Sequence, residues 1–169
     1  MNTVTASVLA KVREQAEGLE HLLSLIPADA LDFRPAGALS LGELLGHLLE
    51  AMAGFCAALY SARPDRLAHF LMLRSLRVNH RCEASEALAR VRDYMACIEE
   101  GFALLEDSDL ARSLPTVFVP QGETLATLLL GNLEHLVNHK YQLFFYLKLL
   151  GVPAGTPDLY QLRASGRPA

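Results

Sequence analysis

The sequence predicts an all-α four-helix bundle, and three observations carry that expectation. Four segments repeat their apolar residues with the 3.6-residue period of an amphipathic helix. All eight prolines lie between or after those segments. The composition, 51% hydrophobic and 20% charged over 169 residues, suits one globular domain with a real core. The bundle is assigned to residues 1–151, and the Pro- and Gly-rich stretch 152–169 to an irregular C-terminal tail.

The first helix, about 3–26, places Leu19, Leu22, Leu23 and Ile26 at i, i+3, i+4 and i+7. The second, about 41–61, carries Leu41, Leu44, Leu45, Leu48, Met52, Phe55 and Leu59. Ser40-Leu-Gly-Glu43 before it reads as a capping box, in which side chains satisfy orphan backbone N–H groups. The third, about 83–106, shows Leu88, Val91, Met95, Ile98, Phe102 and Leu105. The fourth, about 123–150, stops at Gly151, suited to a left-handed cap, with Pro153 beyond it. Residues 27–40 and 107–122 are loops, the latter with a β-prone Val117-Phe118-Val119 run. The long link 62–82, with a short helix expected around 66–78, permits a crossover to a parallel neighbour.

A formal charge of -4 argues against non-specific nucleic-acid binding, which needs a basic surface. Cys56, Cys82 and Cys97 are odd in number and form no C-x-x-C pair, which fits a reducing cytoplasm. The first residues lack a secretory signal's basic segment and long apolar run. No uninterrupted apolar run reaches the roughly 20 residues that span a bilayer. A soluble, cytoplasmic protein is expected, with no nucleic-acid or membrane partner.

Chemistry concentrates on the fourth helix. His135 and His139 share a helix face, with Cβ atoms about 6 Å apart, close enough to hold one metal ion. His47 on the second helix offers a third imidazole, and three histidines with an open position are a catalytic-zinc arrangement. A helical wheel puts Leu128, His135, His139, Gln142 and Tyr146 in one stripe, unusually polar for a core-facing surface. Buried polar groups cost on the order of 1–3 kcal/mol each when unsatisfied, so these need partners. Six histidines make a chance i, i+4 pair common, and a residue such as His47 is ordinarily a hydrogen-bonded core histidine. The pair therefore gains its weight from the third imidazole. His47 shares its face with Ala51, Gly54 and Ala58, which either leave a substrate cavity or allow close helix packing. His21, His69 and His80 have no such companions.

Other chemistries are poorly represented. There is no Gly-rich phosphate loop or Gly-x-Ser-x-Gly elbow. His135-Leu-Val-Asn-His139 lacks the glutamate of His-Glu-x-x-His, and Glu134 points about 100° away around the helix. Glu43 and Glu50 flank His47 only obliquely. Arg63, Arg66, Arg74, Arg77 and Arg81 make the crossover basic, suiting either a solvated face or an anionic substrate group.

Two motifs resemble the DinB/YfiT-like superfamily of bacterial metalloenzymes. They are Ser40-Leu-Gly-Glu-Leu-Leu-Gly-His47-Leu and His135-Leu-Val-Asn-His139-Lys-Tyr-Gln142-Leu-Phe-Phe-Tyr-Leu-Lys-Leu-Leu-Gly151. The resemblance implies an up-down-down-up bundle with helices two and three parallel. It also implies one divalent metal, usually zinc or nickel, on His47, His135 and His139, and a homodimer. Asn138 stands where relatives often carry another histidine, and Lys140 and Tyr141 where Arg and Gly are frequent.

The resemblance further implies a thiol S-transferase that activates a low-molecular-weight thiol such as bacillithiol, mycothiol or glutathione. Gln142 and Tyr146 are then candidates for orienting the thiol or a small-molecule electrophile. The alternatives are a metal-dependent hydrolase using activated water, and a non-catalytic dimeric module whose metal only staples the helices.

Overall fold

The computed structural model describes residues 3–115 and 120–160. Four long helices dominate: α1 Thr3–Ser24, α2 Leu41–Ala62, α3 Ala84–Ala103 and α4 Leu125–Leu149. A 3₁₀ segment, Ala68–Ser75, interrupts the crossover, close to the short helix expected there. Two-residue strands β1 (Ser113–Leu114) and β2 (Glu123–Thr124) pair antiparallel just before α4. The Val117–Val119 run lies outside the described residues.

Contacts along the helices give their directions. The α2 cap Arg63 donates to Leu104 at the end of α3, while Cys82, entering α3, donates to Gly42 at the start of α2. Those two helices therefore run parallel. Arg92 meets Glu20, Arg13 meets Glu99, and Asp107 reaches the start of α1, so α1 and α3 are antiparallel. Leu39 meets Tyr146 and His47 meets His135, so α2 and α4 are antiparallel as well. The order is up-down-down-up, with α2 packed between α3 and α4.

Local chemistry explains where the helices begin and end. Ser40 and Glu43 close the capping box: the Ser40 N–H donates to Glu43 Oε2 at 2.8 Å. Asp107 caps α1 from across the chain, accepting from the Val4 and Thr5 N–H groups. Those bonds, the Thr5 N–H above all, hold its carboxyl below the usual range. Gly151 adopts φ 77° after α4, as its cap position requires. α2 is apolar enough to cross a membrane, yet 61% of its most apolar window is buried inside the bundle, where it serves as the core helix.

The C-terminal stretch departs from the irregular tail expected. Thr156–Tyr160 form a short helix, α5, that packs on α1. Leu159 is buried, and Asp158 pairs with His21 at 2.8 Å. Proline in a first helical turn lacks only an N–H that would be unsatisfied anyway, so Pro157 is compatible with a helix start. Lys140, 3% exposed, donates to Gln15 Oε1 at 2.6 Å and to the Leu159 carbonyl at 3.1 Å, tying α4, α1 and α5 together.

Glycines set the tightest approaches. A Cβ on Gly46 would overlap the His80 backbone, and one on Gly54 would overlap the Asn132 amide. Gly46→Ala is therefore expected to cost about 1–3 kcal/mol through overpacking, outweighing a helix-propensity gain of about 1 kcal/mol. Gly131→Ala faces open space and is expected to stabilise by about 1 kcal/mol. Chemical-denaturation midpoints of the two variants check the contrast.

Candidate metal centre

His47 sits in the second turn of α2, and His135 and His139 lie one turn apart on the facing side of α4. The antiparallel packing brings all three rings together, with centroids 5.0, 4.4 and 4.8 Å apart. One ligating atom from each lies within 4.8 Å of the others. His47 Nε2 and His135 Nε2 are 3.3 Å apart. Nitrogens about 2.0–2.1 Å from one tetrahedral zinc are separated by roughly 3.3–3.4 Å, so this pair already has the spacing of two ligands.

Hydrogen bonds at the opposite ring nitrogens define which atoms face inward. His139 Nδ1 lies 2.9 Å from Gln142 Oε1, and His47 Nδ1 lies 2.6 Å from Asn79 Oδ1. An amide oxygen only accepts, so each Nδ1 donates and each Nε2 keeps its lone pair. That is the protonation pattern metal-binding histidines take when a second partner orients the ring. Burial, then the charge of the neighbouring imidazoles, pushes His135 below the usual histidine range. Burial is also the largest influence lowering His139. Neutral imidazole is the form that ligates metal.

Gln142 and Tyr146 are occupied in a way the sequence did not suggest. Gln142 Nε2 donates to the Tyr146 hydroxyl at 3.2 Å, and that hydroxyl donates to the Leu39 carbonyl at 2.9 Å. With Tyr146 only 3% exposed, this relay anchors His139 to the loop before α2. What the two residues visibly orient is the histidine.

Two partners of His47 were not anticipated. Asn79 comes from the crossover, held at φ 55° with its N–H on the Gly46 carbonyl. Glu50, expected only obliquely, places its carboxylate 3.1 Å from His47 Nδ1. The i, i+3 spacing was a usable signal for that contact. Asn79 offered none, because no periodicity shows that a loop folds back on a helix. Glu43 is committed to the capping box and to Arg34, 2.8 Å away.

The small residues beside His47 serve packing. Ala51 is fully buried, Ala58 is 6% exposed, and Gly54 abuts Asn132. His21 and His69 pair with Asp158 and Glu100, away from the centre. Glu134 is exposed on α4.

No family model matches the chain, and no curated protein matches it. Among solved structures, a DinB-like protein (YjoA) from Bacillus subtilis shares the fold, with a TM-score of 0.66. The two are 18% identical over 86% of this chain and 92% of the other. The fold is thus that of a DinB-like protein, and its three-histidine group is compatible with holding a divalent metal.

Asn79→Ala and Gln142→Ala each remove an orienting bond without removing a ligand. Each is expected to weaken zinc binding roughly 10–100-fold. Competition titration against a chromophoric chelator reads that loss.

Proposed function

We propose that the protein is a divalent-metal-dependent thiol S-transferase, with His47, His135 and His139 as the metal ligands. The observation that carries this reading is the convergence of three imidazoles, two of which, His47 and His139, are held at Nδ1 so that Nε2 is left free. A divalent ion bound there supplies a Lewis acid that lowers a thiol's pKa into the neutral range. The chain's own residues supply orientation: Asn79 and Glu50 hold His47, while Gln142, backed by Tyr146, holds His139. Zinc or nickel suits the three-imidazole set. A structural staple fits less well, since structural zinc usually takes four protein ligands and the described residues offer three here.

Hydrolysis is the weaker alternative. Glu50, the carboxylate nearest His47, is engaged at Nδ1, on the side of the ring turned away from Nε2. Metal-loaded protein is expected to consume bacillithiol, mycothiol or glutathione against a panel of small electrophiles, and a His47→Ala/His139→Ala variant is not. No turnover with all three thiols contradicts the transferase reading. Ester or amide hydrolysis without thiol would support the alternative.

The chain works as a homodimer in this reading, in a reducing cytoplasm that suits its three free cysteines. α4 supports the dimer: Leu130, Val137, Tyr141, Phe145 and Leu149 are each 38–57% exposed along one stripe opposite the core. Large exposed apolar patches mark interaction surfaces. The stripe is self-complementary. In a dimer with its two-fold axis at Tyr141, Val137 would meet Phe145 of the partner subunit and Glu134 would meet Lys148 of the partner subunit. Tyr141→Cys is accordingly expected to form a disulfide-linked dimer under mild oxidation, whereas Val137→Glu dissociates the dimer in sedimentation. A wild-type chain that sediments as a monomer at all accessible concentrations contradicts it.

A further inference from the structure

His80, whose sequence context offered no companion, has two in the structure. Ligating atoms of His80, Cys82 and Glu86 lie within 4.8 Å of one another, apart from the three-histidine centre. We propose that these residues form a second divalent-metal site, one that uses a cysteine thiolate and therefore favours zinc-class ions.

The scaffold holds the group in place. Asn79 and Cys82 donate their backbone N–H groups to the Gly46 and Gly42 carbonyls, each at 2.9 Å, pinning the end of the crossover to α2. The lack of side chains on both glycines permits that approach. Glu86 follows in the first turn of α3, four residues after Cys82. The segment therefore carries the thiol and imidazole at fixed positions beside the carboxylate.

The present hydrogen bonding leaves the group incomplete. His80 Nε2 meets Glu86 Oε1 at 3.0 Å, but His80 Nδ1 is buried without a hydrogen-bond partner among the described residues. A buried nitrogen in that condition carries a desolvation cost, which an ion bound at Nδ1 would relieve. Cys82 is fully buried, its thiol meeting the Glu83 carbonyl at 3.4 Å and Glu86 among the described residues. Burial, then the Glu86 charge, pushes that thiol up to about 12, so it does not ionise as a free nucleophile. Metal binding breaks the S–H bond, forms a sulfur–metal bond and releases the proton to solvent. Cys82 thiolate and Glu86 carboxylate together balance the ion's two positive charges.

Facing cations limit the site without closing it. Arg90 lies 3.6 Å from Glu86 Oε1, the same oxygen that His80 uses, and Arg81 turns outward to Asp32 and Glu83. A groove lined by Ser75, Leu76, Arg77 and Arg90 gives an entry path. A bound ion would clamp the segment that presents Asn79 to His47 onto α3.

Cobalt(II) titration tests the site, because only thiolate ligation gives a sulfur-to-cobalt charge-transfer band in the ultraviolet. The band is expected in the wild type and in the His47→Ala/His139→Ala variant, and absent in Cys82→Ser and His80→Ala. Glu86→Gln, at a residue 42% exposed on its side chain and easily tolerated, is expected to bind cobalt roughly 10–100-fold more weakly. No band in folded, cobalt-saturated wild type overturns the proposal. So does a band that persists in Cys82→Ser, which would place the sulfur at Cys56 or Cys97, or an unchanged affinity in Glu86→Gln. The band comes from cysteine alone, so its outcome is independent of the three-histidine reading.

Discussion

Close packing of α2 against α4 is the constraint on which the candidate centre depends. The two helices meet where Gly54 lies under the Asn132 amide, with the fully buried Ala51 beside it. A larger side chain at position 54 would push the helices apart. The Nε2 atoms of His47 and His135 now stand 3.3 Å apart, and a shift of one ångström would spoil that spacing for a single ion. The same helix that carries His47 also receives the crossover on Gly42 and Gly46. One face of α2 thus builds the centre while another positions the residue that steadies it.

Electrostatics and packing work together at the centre. Three imidazoles at this distance cannot all hold protons without mutual repulsion, and burial already favours the neutral ring in His135 and His139. Neutral rings need a defined tautomer to act in concert. Asn79 and Gln142 supply it from different elements, one a loop and the other a neighbouring turn of α4. Gln142 is itself held through Tyr146 to the Leu39 carbonyl, so the orientation of His139 depends on the loop before α2. The polar stripe on α4 is therefore a connected hydrogen-bonded set rather than a group of isolated polar residues.

What the sequence made legible follows from what periodicity records. A 3.6-residue repeat reports a buried face, so four helices, the Ser40–Glu43 cap and the Gly151 stop were all visible. His135 and His139 were visible for the same reason, because i, i+4 spacing is local geometry. His47 could be added to them only as a third imidazole on another apolar helix, and the resemblance to a known family strengthened that pairing, since no local pattern spans 88 residues. Asn79 and the His80–Cys82–Glu86 group were hidden because a loop's path over a helix is set by tertiary contacts with glycines. The α5 helix was hidden by composition: Pro157 and Gly155 read as irregular chain, although both fit the start of a helix docked by Leu159.

In the proposed site three Nε2 atoms converge on one ion while Nδ1 of His47 and of His139 keeps its proton. Long-range proton–nitrogen correlation spectra of the histidine rings, recorded before and after adding one equivalent of zinc to the Cys82→Ser variant, test it most directly. Zinc shared by the three rings shifts the Nε2 resonances of His47, His135 and His139 together, with Nδ1 of His47 and His139 protonated throughout. Unmoved Nε2 resonances in these three residues, or a shift confined to other histidines, would contradict it.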